Sequence, residues 1–75
     1  MDRYKNLAGD SGVVAYEIGA RSIKVLFREG AVYTYTYESS GRGNIDRMKV
    51  LARAGRGLST FISTVVRGSY ASKST

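Results

Sequence analysis

Two hydrophobic periods divide the chain. Between residues 13 and 37 apolar and β-branched positions alternate with polar ones, whereas between residues 45 and 65 they recur every three or four residues. The alternation predicts three strands. Residues 13–18 (VVAYEI) set Val14, Tyr16 and Ile18 against Val13, Ala15 and Glu17. After a turn at Gly19-Ala20-Arg21-Ser22, residues 22–27 place Ile23, Val25 and Phe27 on one face and Lys24, Leu26 and Arg28 on the other. Residues 31–37 form the third strand, rich in β-branched and aromatic side chains.

The turn between the second and third strands decides which tyrosines lie inside. A two-residue loop at Glu29-Gly30 would leave Tyr33 and Tyr35 on the face of Lys24 and Arg28. A three-residue loop, Arg28-Glu29-Gly30 with positive φ at Gly30, pairs Phe27 with Ala31, Val25 with Tyr33 and Ile23 with Tyr35. The second register collects every large apolar group of the hairpin except Leu26 and Val32 on one face. Since a slip of one residue inverts the whole face, that register is expected.

The second half carries the helical period. Ser39 to Gly43 reads as a flexible connection and Asn44 as the N-cap of a helix bearing Ile45, Met48, Leu51 and Ala52, with Asp46 in its first turn. Gly55-Arg56-Gly57 ends that helix. Leu58, Phe61, Ile62 and Val65 follow at i, i+3, i+4 and i+7 as a second helix, closed by Arg67-Gly68, with Tyr70 folding back as a last anchor. The expectation is an α+β domain: a three-stranded antiparallel β-meander packed against two short C-terminal helices. It occupies residues 13–70, between a flexible N-terminal arm (1–12) and a flexible tail (71–75).

Composition narrows the chemistry. With 75 residues the chain is one small domain with a modest core. It has no cysteine and no histidine, which removes disulfides, thiolate or imidazole metal ligands, thiol nucleophiles and histidine general bases. Six carboxylates, at 2, 10, 17, 29, 38 and 46, form no local pair, so no catalytic residue and no cofactor is expected. Gly41-x-Gly43 and Gly55-x-Gly57 complete no phosphate-loop fingerprint and read as helix punctuation. No apolar run approaches the ~20 residues of a membrane span, and a cytoplasmic location is the default.

Charge is distributed unevenly. Twelve Lys and Arg against six Asp and Glu leave +6. Arg3, Lys5, Arg21, Lys24 and Arg28 balance Asp2, Asp10, Glu17, Glu29 and Glu38 in the first half. Beyond residue 41, Arg42, Arg47, Lys49, Arg53, Arg56, Arg67 and Lys73 face only Asp46, so the whole excess lies there. A one-sided basic surface suits a polyanion.

The run Ile23-x-Val25-x-Phe27-x-x-Gly30-x-x-Tyr33-x-Tyr35, preceded by Tyr16-Glu17, resembles the KTSC domain, a small bacterial and phage domain named after the C-terminal extension of some lysyl-tRNA synthetases. The glycine-bounded junction at Gly55 and Gly57, Phe61-Ile62 and Tyr70 fit the same pattern, so the resemblance spans about residues 13–70. Where the family usually has Val-Pro after the Tyr-x-Tyr strand, this chain has the proline-free segment Tyr37 to Gly43, and Ser59 stands where the family has an asparagine. The resemblance implies no catalytic residues and hints at RNA.

The candidate site is a basic ridge. Lys49, Arg53 and Arg56 fall at i, i+4 and i+7 beside the apolar face, flanked by Arg42 and Arg47. This ridge is expected to contact phosphates of nucleic acid, RNA first; its plainer reading is a solvated helix face with Asp46 partly pairing Lys49. Tyr33 and Tyr35 are assigned to the core, and Tyr37 remains open as a stacking group. The alternative is a protein partner on the hairpin's outer face, through Leu26, Val32, Thr34 and Thr36.

Overall fold

A computed structural model describes residues 1–74. The chain is α+β, with five antiparallel strands in the order β1-β2-β3-β4-β5: β1 (Asp2–Arg3), β2 (Val13–Ile18), β3 (Ser22–Phe27), β4 (Val32–Thr36) and β5 (Ser72–Ser74). Between β4 and β5 run α1 (Tyr37–Ser40), α2 (Arg42–Ala54) and α3 (Leu58–Phe61), the last continuing as a π-helical turn, Ile62–Val66. These helices cover one face of the sheet. Ile23, Val25 and Tyr35 meet Ile45, Met48, Leu58 and Val66 there, each at most 1% exposed.

The central hairpin adopts the three-residue register. Val25 opposes Tyr33, Ile23 opposes Tyr35, the Phe27 N–H donates to the Ala31 carbonyl, and Gly30 has φ +100°. Open space surrounds the position a Gly30 Cβ would occupy, so only backbone strain opposes a side chain. Gly30→Ala is therefore expected to lower stability by about 1 kcal/mol in denaturant unfolding, and a change below ~0.3 kcal/mol would refute the strain argument.

The three-strand expectation is corrected to five, because both termini join the sheet. Asp2 and Arg3 pair with Tyr16 and Ala15, while Ser72 to Ser74 pair with Thr34 to Val32. The N-terminal segment also supplies core. Tyr4 is 3% exposed, its N–H donates to the Val14 carbonyl, and its hydroxyl accepts a hydrogen bond from the Leu58 N–H at 3.3 Å. None of this is periodic: one buried ring and scattered backbone bonds carry no alternation for a pattern to reveal.

Three local expectations also change. A β-bulge at Val14 puts Val13 opposite Phe27 and Ala15 opposite Leu26, so Val13 joins Tyr16 and Ile18 on the core side while Val14 turns outward. The connection after β4 is helical. Thr36 caps α1 with a reciprocal box, its hydroxyl accepting from the Ser39 N–H while Ser39 Oγ accepts from the Thr36 N–H, both at 3.0 Å. Gly41, rather than Asn44, is then the N-cap of α2, and the Asn44 amide instead donates to the Ser40 carbonyl at 2.8 Å.

At the far end of the helices Val66, not Val65, is buried. The π-helical bond from the Arg67 N–H to the Ile62 carbonyl widens the turn, which brings Val66 back under Ile62 and leaves Val65 half exposed. The glycine punctuation between helices stands as expected, with Gly55 (φ +77°) and Gly57 (φ +80°) both left-handed.

Candidate functional site

α2 presents its cations in two groups. At 3.6 residues per turn, Arg42, Asp46, Lys49 and Arg53 fall within about 60° of arc, while Arg47 lies about 120° round from Arg53. Arg47 therefore stands apart from the ridge. Arg56 leaves it for a different reason: α2 ends at Ala54 and Gly55 turns left-handed, so the i+7 spacing from Lys49 is not helical. Of the five expected basic residues, the structure groups Arg42, Lys49 and Arg53.

The same edge gathers groups from elsewhere in the chain. Tyr37 opens α1 at the end of β4, where its N–H donates to the Arg21 carbonyl and its hydroxyl donates to Asp46 Oδ1 at 3.3 Å. Arg42 Cζ lies 5.8 Å and Lys49 Nζ 5.6 Å from the Tyr37 ring centroid. Both are within cation–π range. Lys49 Nζ also donates to the Ala20 carbonyl at 3.3 Å, tying α2 to the β2–β3 turn. Asp46 pairs with Arg42 at 3.6 Å rather than with Lys49. Since those side chains are 78% and 52% exposed, the pair contributes only tenths of a kcal/mol.

The ridge is thus a composite edge: three cations from α2, a half-buried aromatic ring beside two of them, and the exposed Arg21 on the turn that Tyr37 and Lys49 hold. Arg21 was invisible as a member from sequence, because the neutral charge balance of residues 1–41 hides which turn the sheet carries beside α2. A phosphate at this edge would meet cations on long side chains, which supply attraction without base selectivity. Among the described residues no group of three or more His, Cys, Asp or Glu is placed to hold a metal ion, and no helix is long and apolar enough to cross a membrane.

Tyr33 and Tyr35 do face the helices, as the register requires. Tyr35 is 1% exposed, whereas Tyr33 is only half-buried at the rim. The sheet's opposite face carries no helix. A short apolar row crosses it, Ala15 beside Leu26 beside Val32, bordered by Thr34, Lys24 and Glu17.

Compared with protein-family models, with curated proteins and with solved structures, the chain finds no match in any of the three.

Proposed function

We propose that this protein is a small non-catalytic module that contacts the phosphate backbone of nucleic acid, RNA first, through the α2 edge formed by Arg42, Lys49 and Arg53. The observation that carries the reading is the Tyr37 ring set beside two cations, 5.8 Å from Arg42 Cζ and 5.6 Å from Lys49 Nζ. A solvated helix face needs no aromatic ring among its cations, whereas a single strand offers bases to stack beside the phosphates the cations hold. The KTSC-like hairpin supports the same direction through that family's place on lysyl-tRNA synthetases.

Such binding should be weak, poorly selective and steeply salt-dependent. The Arg42→Gln, Lys49→Gln, Arg53→Gln triple variant is expected to fold normally, exposed charges each moving stability by ~0.5 kcal/mol or less. On single-stranded RNA it should lose about 2 units of log–log salt slope, at ~0.7 for each of three phosphates. Lys24→Gln with Arg47→Gln and Arg56→Gln removes as many charges elsewhere, controls for net charge and should move the slope far less. Equal effects of the two variants would reduce the edge to general electrostatics. No binding of the parent protein to RNA or DNA at low salt would favour the second reading, a protein partner on the helix-free sheet face through Leu26, Val32, Thr34 and Thr36, which the half-buried Leu26 and Val32 side by side support.

A further inference from the structure

A cleft of about 270 Å³ opens at the hairpin end of the core, walled by Phe27, Tyr33, Tyr35 and Ile62, with Glu29 and Arg67 at its mouth. The rings are fixed against one another. Phe27 stands edge-on to Tyr33 at 5.2 Å, and Tyr70 stands edge-on to Tyr33 at 4.9 Å and to Tyr35 at 6.4 Å. The cleft is open to solvent and lined by both aromatic and polar groups, so an aromatic ring carrying a polar substituent matches it better than a bare hydrocarbon. The Tyr35 phenol lines the cleft with its pKa pushed up to about 12 by burial first, then by Tyr33 and Tyr70, and so remains a hydrogen-bond donor.

Arg67 lines the mouth together with Glu29 but makes no ion pair among the described residues, and Lys73, whose ammonium lies 5.3 Å from the Tyr33 ring centroid, adds a second cation beside that wall. The neighbouring Tyr33 side chain raises the Lys73 pKa, so this ammonium stays charged. Arg67 is also strained, with φ +21° and ψ −100° directly after the π-helical turn. Gly68, the next residue, would take a positive φ at little cost, yet the chain places that turn on an arginine. Strain held at a cleft in this way marks a position kept for its side chain.

We propose that this cleft binds a planar aromatic ring bearing one anionic group, the ring between the walls of Phe27, Tyr33 and Tyr35 and the anion on Arg67. The site lies at the opposite end of β3 and β4 from the α2 edge and does not depend on nucleic-acid binding there. A ring of this kind arises as an aryl carboxylate or as a nucleotide, and two probes separate them.

The test is an NMR titration of the ¹⁵N-labelled full chain with indole-3-acetate and with uridine monophosphate, each against its neutral counterpart, indole-3-acetamide and uridine. One or both anions should shift the amides of Tyr33, Ile62, Ser63 and Arg67, with the neutral compound about tenfold weaker, as fits loss of one charged hydrogen bond. Arg67→Gly relieves the backbone strain, so it should fold at least as stably as the parent while losing that tenfold preference. Absence of shifts up to the millimolar range for both anions would overturn the proposal. So would equal binding of the neutral compounds, or shifts confined to Arg42, Lys49 and Arg53.

Discussion

Gly55→Ala will destabilise this fold by about 2–4 kcal/mol. Two effects add at one atom. Gly55 is left-handed, with φ +77°, which costs a residue with a Cβ roughly 1–2 kcal/mol. A Cβ built there would also stand 2.6 Å from the Cβ of Lys5, an atom that cannot swing aside because it is fixed to the backbone. That backbone is itself held, since the Leu7 N–H donates to the Gly55 carbonyl at 2.7 Å and Tyr4 is buried nearby in sequence. Relieving the overlap by shifting packed elements costs a further ~1–2 kcal/mol.

For a domain this small the melting temperature falls roughly 4–8 °C per kcal/mol, so a drop of about 8–32 °C is expected by circular dichroism. Gly57→Ala is the internal control. Its φ of +80° carries the same backbone penalty, but the nearest atom to its Cβ is a flexible Leu51 methyl at an ordinary 3.5 Å. It should cost only that backbone penalty, about 1–2 kcal/mol. Equal losses at the two glycines would show that residues 4–7 do not pack on the α2–α3 junction.

Tyr4→Ala is expected to cost about 3–5 kcal/mol, the range for removing a buried aromatic ring. A chain of 75 residues holds roughly 4–11 kcal/mol in total, so this single change removes between about a quarter and all of it. Tyr4→Phe separates packing from the polar contact. It keeps the ring but leaves the buried Leu58 N–H without its acceptor, a loss of about 1–2 kcal/mol. Chemical denaturation of both variants measures the two parts. Values below ~0.5 kcal/mol for both would mean that residues 1–12 contribute no more than a loose arm.

Much of this architecture is legible from residue order because its causes are local. Alternation in residues 22–36 places Ile23, Val25 and Tyr35 on the buried face, and Gly30 admits only one loop consistent with that face. Gly55 and Gly57 are legible as a helix end because two glycines close together admit the left-handed conformation at no Cβ cost, whereas Gly43 is carried inside α2. The α1 turn was also encoded nearby. Thr36 and Ser39 form a capping box, but with serine in place of the usual Glu or Gln the segment looks like a flexible linker.

The candidate site was legible only in part. Helical spacing correctly joined Lys49 to Arg53, and it extended the ridge to Arg56 only by running the period past the helix end at Ala54. Tyr37 stood out as the aromatic residue at the strand end, beside the glycine-containing segment. Its position beside Arg42 and Lys49 depends on the angle at which α1 meets α2, and Arg21 enters through a turn some twenty residues away.

By itself the sequence determined the strand and helix periods, the hairpin register, the helix break at Gly55 and Gly57, and the concentration of positive charge beyond residue 41. These depend on side-chain volume, period and backbone freedom, all of which act within a few residues. Tertiary structure alone decided that Tyr4 fills the core beneath Leu58, that residues 72–74 close the sheet beside β4, that a bulge turns Val14 outward, and that Phe27, Tyr33, Tyr35 and Arg67 surround one cleft. Each of these joins groups far apart in the chain or shifts a register by one residue. Such contacts form only because the ordering cost of closing long loops is offset by burial and hydrogen bonds that exist once the whole fold is assembled.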